Sequence, residues 1–226
     1  MRGEKIIMEK SDLGERNQIL DEILKSRRSI RVFKEEKPPK NQIEEIIEAG
    51  MLAPYAAAAV GDEEDFRRFF VFEKGTKSIE TAAQLMKKKA TEGVQHFENL
   101  MAEKPFIRSK FEPFVKRLQM AVDKGVLGVG TAPYFLVVAE LRGVPPAEQE
   151  SIAHVMENMW LKATALDLGF QLVSLTSQMA EDEGFMGLLE LPIKKFALNG
   201  CAIGYPAMTP PATPRPDTMK ATRWMD

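Results

Sequence analysis

The chain has 226 residues, 31 Lys+Arg against 33 Asp+Glu, with 44% hydrophobic and 28% charged residues. A chain of this size buries roughly 70% of its extended surface on folding, enough for a core without staples, and its composition is globular rather than disordered. A formal net charge of -2 argues against a nucleic-acid partner held by bulk electrostatics, and the single Cys201 excludes an internal disulfide framework or a Cys-rich metal site.

In chain order, the charged start, Met1 to Lys5, carries no apolar signal segment, so the expected location is cytoplasmic. A short helix is expected over residues 18–26. A second begins at Asn41 as N-cap, with Glu44 three residues on, and Pro54 stops it. Its Ile43, Ile46, Ile47 and Met51 share one face. Residues 78–101 and 111–123 read as polar-rich helices forming a lid or outer layer. The fifth helix spans about 146–168, with an apolar stripe through Ile152, Val155, Met156 and Met159 and Gly169 as its stop. Strands are expected at 69–73, 134–140, 170–175 and 196–203, rich in Val, Phe and Leu. The longest apolar runs are far too short to cross a bilayer, and no membrane partner is expected.

Interspersed helices and strands, with helices in excess, imply an α+β fold layered α/β/α: a mixed, mainly antiparallel sheet of about four strands wrapped by helices. No linker splits the chain, so residues 1–226 read as one domain, with an insertion at about 78–123. Five prolines between Pro206 and Pro216 make the segment 206–226 an extended C-terminal arm, since proline fixes φ and removes a donor.

Several chemistries lack their residues. There is no phosphate loop of the Gly-x-x-x-x-Gly-Lys type and no Gly-x-Ser-x-Gly elbow. His96 and His154 are the only histidines, and neither has a second ligand at metal spacing, so no metal is expected. His154 reads as a capping or surface group. Gly128-Val129-Gly130 precedes a strand, the reverse of a dinucleotide fingerprint. Cys201 reads as a small core residue.

The run that carries chemistry is Arg27-Arg28-Ser29-Ile30-Arg31-Val32-Phe33. In an extended segment Arg27, Ser29 and Arg31 point one way, while Ile30 and Val32 face the core. Guanidinium forks match phosphate or carboxylate oxygens. A solvated charged segment, neutralised by Glu35 and Glu36, satisfies the same composition.

That run, followed by a helix ending in Ala53-Pro54, resembles the opening of the FMN-dependent nitroreductase family. Thr131-Ala132-Pro133 leading into Tyr134 to Val138 is similar to the family's central strand entry. Glu157-Asn158-Met159 through Leu168-Gly169 resembles its long core helix, and Ala202-Ile203-Gly204-Tyr205-Pro206 its strand end. The four stretches occur in family order over about residues 20–216.

The resemblance implies roles residue by residue. Arg27, Ser29 and Arg31 match the positions holding the FMN phosphate, ribityl chain and pyrimidine edge, with Arg28 beside them. Ser174 and Leu175 match the loop whose backbone lies over the flavin near N5. Arg215 is the choice for the basic residue that completes the phosphate site, with Lys220 and Arg223 as alternatives. Family members are homodimers with FMN at the subunit interface, and the proline-rich tail suits an arm embracing a partner. One departure follows Ala53-Pro54. Where the family has Ser, Asn and then Gln-Pro-Trp, this chain has Tyr55, Ala56, Ala57 and further alanines, which would form the substrate pocket, Tyr55 either as an aromatic surface there or as a core-packing residue.

The implied activity is an oxidoreductase that passes hydride from NADH or NADPH, by way of flavin N5, to a nitroaromatic, quinone or similar electron-poor acceptor. The kinetics would be ping-pong, and no side chain need serve as catalytic acid or base because the flavin carries the chemistry. Arg31 could stabilise charge on the reduced ring. Phe97, Phe106, Phe111 and Phe114 would line the pocket or pack between helices. A second reading is an FMN-binding protein of the same fold without general reductase turnover, serving storage, sensing or specialised oxygen chemistry. A third is a non-flavin protein whose arginines bind another phosphate or a protein.

Overall fold

A computed structural model describes residues 10–62 and 64–225. Helix α1 (Lys10–Ser26) leads into the arginine-rich segment. Helix α2 (Lys40–Met51) and the short α3 (Ala57–Val60) precede strand β1 (Arg67–Glu73). Two long helices follow, α4 (Lys77–Glu103) and α5 (Arg108–Lys124), joined by a 3-10 turn at Pro105–Ile107. Strand β2 (Tyr134–Leu141), helix α6 (Glu148–Ala165) and strand β3 (Gly169–Leu172) come next. A 3-10 segment (Ser174–Glu181), helix α7 (Glu183–Leu188), strand β4 (Phe196–Gly204) and the short α8 (Thr218–Ala221) complete the chain.

The strand order is β1-β2-β4-β3, and every ladder is antiparallel. A parallel bridge between Ser29 and Phe170 adds the mixed element at the β3 edge. The expected α+β sheet of four strands is what forms.

Strand β2 is buried on both faces, so its sequence runs apolar from Tyr134 to Ala139 rather than alternating, and the Glu140 that follows is buried too. Phe135, Val137 and Ala139 point into a core shared with Ile79, Ala82 and Met86 of α4 and Phe185 and Met186 of α7. Tyr134, Leu136 and Val138 point into a second core with Ile43 and Ile46 of α2 and Val155, Met156 and Met159 of α6. Cys201 belongs to that second core, and burial pushes its thiol pKa up. The two layers of helix are therefore read directly from the period-2 division of the central strands.

The first half of α4 packs on the sheet. Its second half pairs with α5 through a separate cluster of Ala90, Val94, Met101, Val115 and Leu118. Phe97 stacks on Phe111 and meets Phe114 edge-on within this hairpin, with ring centroids 5.4 and 5.3 Å away. Phe106 is exposed.

Three local expectations are corrected. Helix α2 starts at Lys40 behind Pro39, without a side-chain cap from Asn41. The first turn closes instead by backbone, with Gln42 N donating to Pro39 O at 3.1 Å. The expected stop at Gly169 falls elsewhere: α6 ends at Ala165, and Asp167 takes the left-handed turn at φ 56. Gly169 instead opens β3, where a Cβ would sit 2.7 Å from the Ile30 side chain, so glycine permits the arginine-rich segment to approach. The expected strand at 170–175 is shorter: Val173 still donates to Gly200 O at 2.7 Å, but from Ser174 the chain coils into 3-10 turns.

Candidate functional site

The arginine-rich segment lies along the β3 edge and then meets the end of β4. Ile30 N donates to Phe170 O at 3.0 Å, Lys34 N to Tyr205 O at 2.9 Å, and Ala207 N to Val32 O at 3.0 Å. Ile30 is 5% exposed, as an inward residue should be, but Val32 is 53% exposed. Only Ser29 and Phe33 form bridges, so the segment is not one flat strand and the strict alternation fails after Ile30.

The same irregularity separates the arginines. The Arg27 guanidinium lies 4.1 Å above the Trp160 ring centroid, and its Nε is 3.5 Å from Glu157 Oε1. Trp160 stacks in turn on Phe170 at 5.1 Å, and its Nε1 donates to Arg28 O at 3.2 Å. Arg28 turns back on the end of α1, donating to Lys25 O and Arg27 O. Ser29 is half-buried.

Arg31 takes a different direction and lines a cavity of about 490 Å³. Its walls are residues 171–175, the loop 125–127, and the face of α5 carrying Phe114, Arg117, Leu118, Ala121 and Lys124. Those five residues follow helical spacing, so one stripe of α5 faces the opening. The cavity is within the usual size range for a small-molecule site, and mainly apolar side chains bound it.

Gln171 is the polar group set deepest in that wall, at 9% exposure. Its Nε2 donates to Leu127 O at 3.0 Å, while its Oε1 is buried without any hydrogen-bond partner. A buried acceptor without a donor costs on the order of 1–3 kcal/mol. Gly128 makes the close packing here possible: at φ +90, its missing Cβ would lie 2.6 Å from Ala202 Cβ and 3.3 Å from Gln171 Oε1. Its N–H donates to Thr131 Oγ1 at 2.9 Å.

Arg31, Ser174 and Leu175 therefore share one cavity wall, whereas Arg27 and Arg28 pack around Trp160. Tyr55, Ala56 and Ala57 do not line this cavity; Tyr55 packs on Phe66 with centroids 4.1 Å apart. Arg215 is exposed on the arm, which lacks regular structure from Ala207 to Asp217. His154 is exposed on α6. Sequence reading missed Arg117, Lys124 and Gln171. The α5 stripe was visible as a spacing, but nothing local marked which neighbour it would face.

The architecture is found among flavoproteins. A Bacteroides fragilis nitroreductase with bound FMN matches with a TM-score of 0.67 and 17% identity, over 92% of this chain and 98% of that one. A BluB-like flavoprotein from Clostridium difficile gives a TM-score of 0.69 at 18% identity, over 92% and 99%. An iodotyrosine deiodinase bound to FMN and 3-iodo-L-tyrosine gives 0.59 at 20% identity, over 88% and 95%. At these identities the likeness establishes the fold. A search of curated proteins finds no match. The model of the Nitroreductase family matches residues 24–205, and the chain belongs to that family. No helix among the described residues is long and apolar enough to cross a membrane.

Proposed function

We propose that this protein is an FMN-dependent oxidoreductase, active as a cytoplasmic homodimer, that carries hydride from NADH or NADPH to an electron-poor acceptor such as a nitroaromatic or quinone. The observation that carries this reading is an apolar cavity whose lining includes both Arg31 and Gln171, the latter with a buried Oε1 that has no hydrogen-bond partner. A flavin pyrimidine edge presents an N–H flanked by carbonyl oxygens, which is complementary to that acceptor and cation. The residues present therefore fit the group.

In this reading Arg27, with Arg28 beside it, and Ser29 hold the phosphate and ribityl end. Arg31 and Gln171 hold the pyrimidine edge, and the backbone at Ser174 and Leu175 covers the ring near N5. Arg215 completes the phosphate site from the arm. When bound, the flavin supplies the hydride chemistry at N5. The chain contributes orientation, a cation at Arg31 where negative charge develops on the reduced ring, and an apolar enclosure that limits water. FMN in two of the structural neighbours supports the reading.

A dimer is supported by apolar side chains left on the surface. Leu13, Ile19, Leu20 and Leu24 of α1 are exposed, as are Met219, Trp224 and Met225 near the end of the arm. A partner subunit would cover them and bring Tyr55, Ala56 and Ala57 toward the substrate.

The alternative, an FMN protein of the same fold without general reductase turnover, draws on the segment after Pro54. Four alanines from Ala56 to Ala59 provide no side-chain donor or acceptor. Purification and spectroscopy separate the readings. A flavin absorption band that bleaches rapidly on mixing with NADH or NADPH is the expected result. A band that bleaches with neither nucleotide would favour the alternative, and colourless protein that takes up no FMN would overturn both.

A further inference from the structure

The charge on the cavity face of α5 is unbalanced. Arg31, Arg117 and Lys124 line the cavity, and no Asp or Glu lines it with them. Four other polar side chains of α5 pair with one another and do not line this cavity: Lys116 pairs with Glu112 at 3.1 Å, and Asp123 accepts from Gln119 at 2.8 Å. Arg117 Nε reaches only Pro113 O, at 3.3 Å, along its own helix. Arg117 and Lys124 are seven residues apart, about 10.5 Å along the axis, with Leu118 and Ala121 between them on the same stripe.

We propose that α5 selects the acceptor: Arg117 and Lys124 hold the carboxylate of a flat, largely apolar molecule whose ring lies in the cavity. This inference rests on the flavin reading above and names the substrate class for that site. Phe114, Leu118, Ala121, Leu127, Leu172 and Leu175 supply the apolar contact, and the two cations supply the polar end that fixes orientation. Arg31, which comes from the segment after α1, is assigned with Gln171 to the flavin, which leaves the α5 pair for the second molecule. A neutral acceptor would have to bind beside two unneutralised cations, so the arrangement discriminates by charge as well as by fit.

The test uses FMN-loaded protein and two probes of nearly equal shape, 4-nitrobenzoate and 4-nitrobenzamide, titrated calorimetrically into the oxidised form. FMN content is measured first by absorbance in the wild type and in Arg117→Gln, Lys124→Gln and Arg117→Lys. The wild type is expected to favour the carboxylate. Each Gln variant should lower the carboxylate-to-amide affinity ratio about three- to tenfold, as expected for partly solvated charge pairs. Arg117→Lys should keep most of the ratio, and added salt should lower it in the wild type.

FMN-loaded wild type that binds the two probes equally would overturn the proposal alone. So would Gln variants that leave the ratio unchanged, or that weaken NADH as much as 4-nitrobenzoate, since the anion held by α5 would then be the nucleotide's phosphate. Wild type that takes up no FMN would remove the functional reading and this inference together.

Discussion

Arg67 and Glu140 face each other across the β1–β2 register, Nε to Oε2 at 2.9 Å, with side chains 0% and 2% exposed. The guanidinium also donates to Gly50 O at 3.2 Å, Ala53 O at 2.9 Å and Ser151 Oγ at 3.0 Å. One buried cation thus closes the carbonyl end of α2 and ties the Ala53-Pro54 turn to both β1 and α6. Removing either partner leaves an uncompensated buried charge. Glu140→Gln is expected to cost about 3–5 kcal/mol in urea unfolding. Replacing both residues together, Arg67→Met with Glu140→Leu, should cost less than the two single losses summed. Additive losses would show that the pair is not coupled.

Arg27→Ala is expected to weaken FMN binding by about 1.5–3 kcal/mol through loss of a charge-assisted bond to phosphate. The stack of Arg27 on Trp160 limits where that guanidinium can reach, so Trp160→Leu should weaken FMN in the same direction with a smaller effect. Fluorescence titration of FMN into each variant reads both. An unchanged dissociation constant for Arg27→Ala would move the phosphate elsewhere.

Gly128→Ala should damage stability and the cavity at once. The new methyl group would press on Ala202 and sit close to Gln171 Oε1, at a backbone φ that side chains avoid. A loss of about 1–3 kcal/mol is expected in thermal or urea unfolding. FMN affinity should fall as well, because Gln171 has to move.

A modest pH dependence is expected at the start of α2. Hydrogen bonding from Lys40 holds the Glu73 carboxyl below its usual range, with Lys37 adding to the effect against some desolvation. A carboxylate with a depressed folded pKa adds stability above its unfolded value, and this is lost as pH falls through the folded value. Lys40→Met should therefore flatten part of the acid limb of a stability-against-pH curve. An acid limb identical to wild type would remove this pair from the account.

Truncation from Pro210 onward should weaken self-association or FMN retention, because it deletes the exposed Met219, Trp224 and Met225. Trp224 alone is 81% exposed, a cost that a partner's surface would relieve. Sedimentation and flavin content measure the two outcomes. A profile and cofactor content matching the full chain would show that the arm joins nothing.

Local pattern was enough for the layered fold. Apolar runs of strand length in β2 and β4, together with the stripe on α6, identify a sheet covered on both faces, because period 2 and period 3.6 are written into neighbouring residues. Order and spacing of short stretches were enough for the family, and the arginine-rich run marked Arg31 as a residue of interest. Boundaries such as the end of α6 were not legible, since Asp167 takes the left-handed turn where glycine was the local favourite.

The composition of the cavity was decided only by tertiary structure. Arg31, the α5 pair Arg117 and Lys124, and the stretch from Gln171 to Ser174 come from three separate parts of the chain, and no spacing relates the three. Equally, the division of labour between Arg27 and Arg31 depends on Trp160, which stands 133 positions after Arg27 in the sequence and directly beneath its guanidinium in space. A residue's periodicity states which neighbours share its face; what that face meets is set by how helices and strands pack, which is a property of the whole chain.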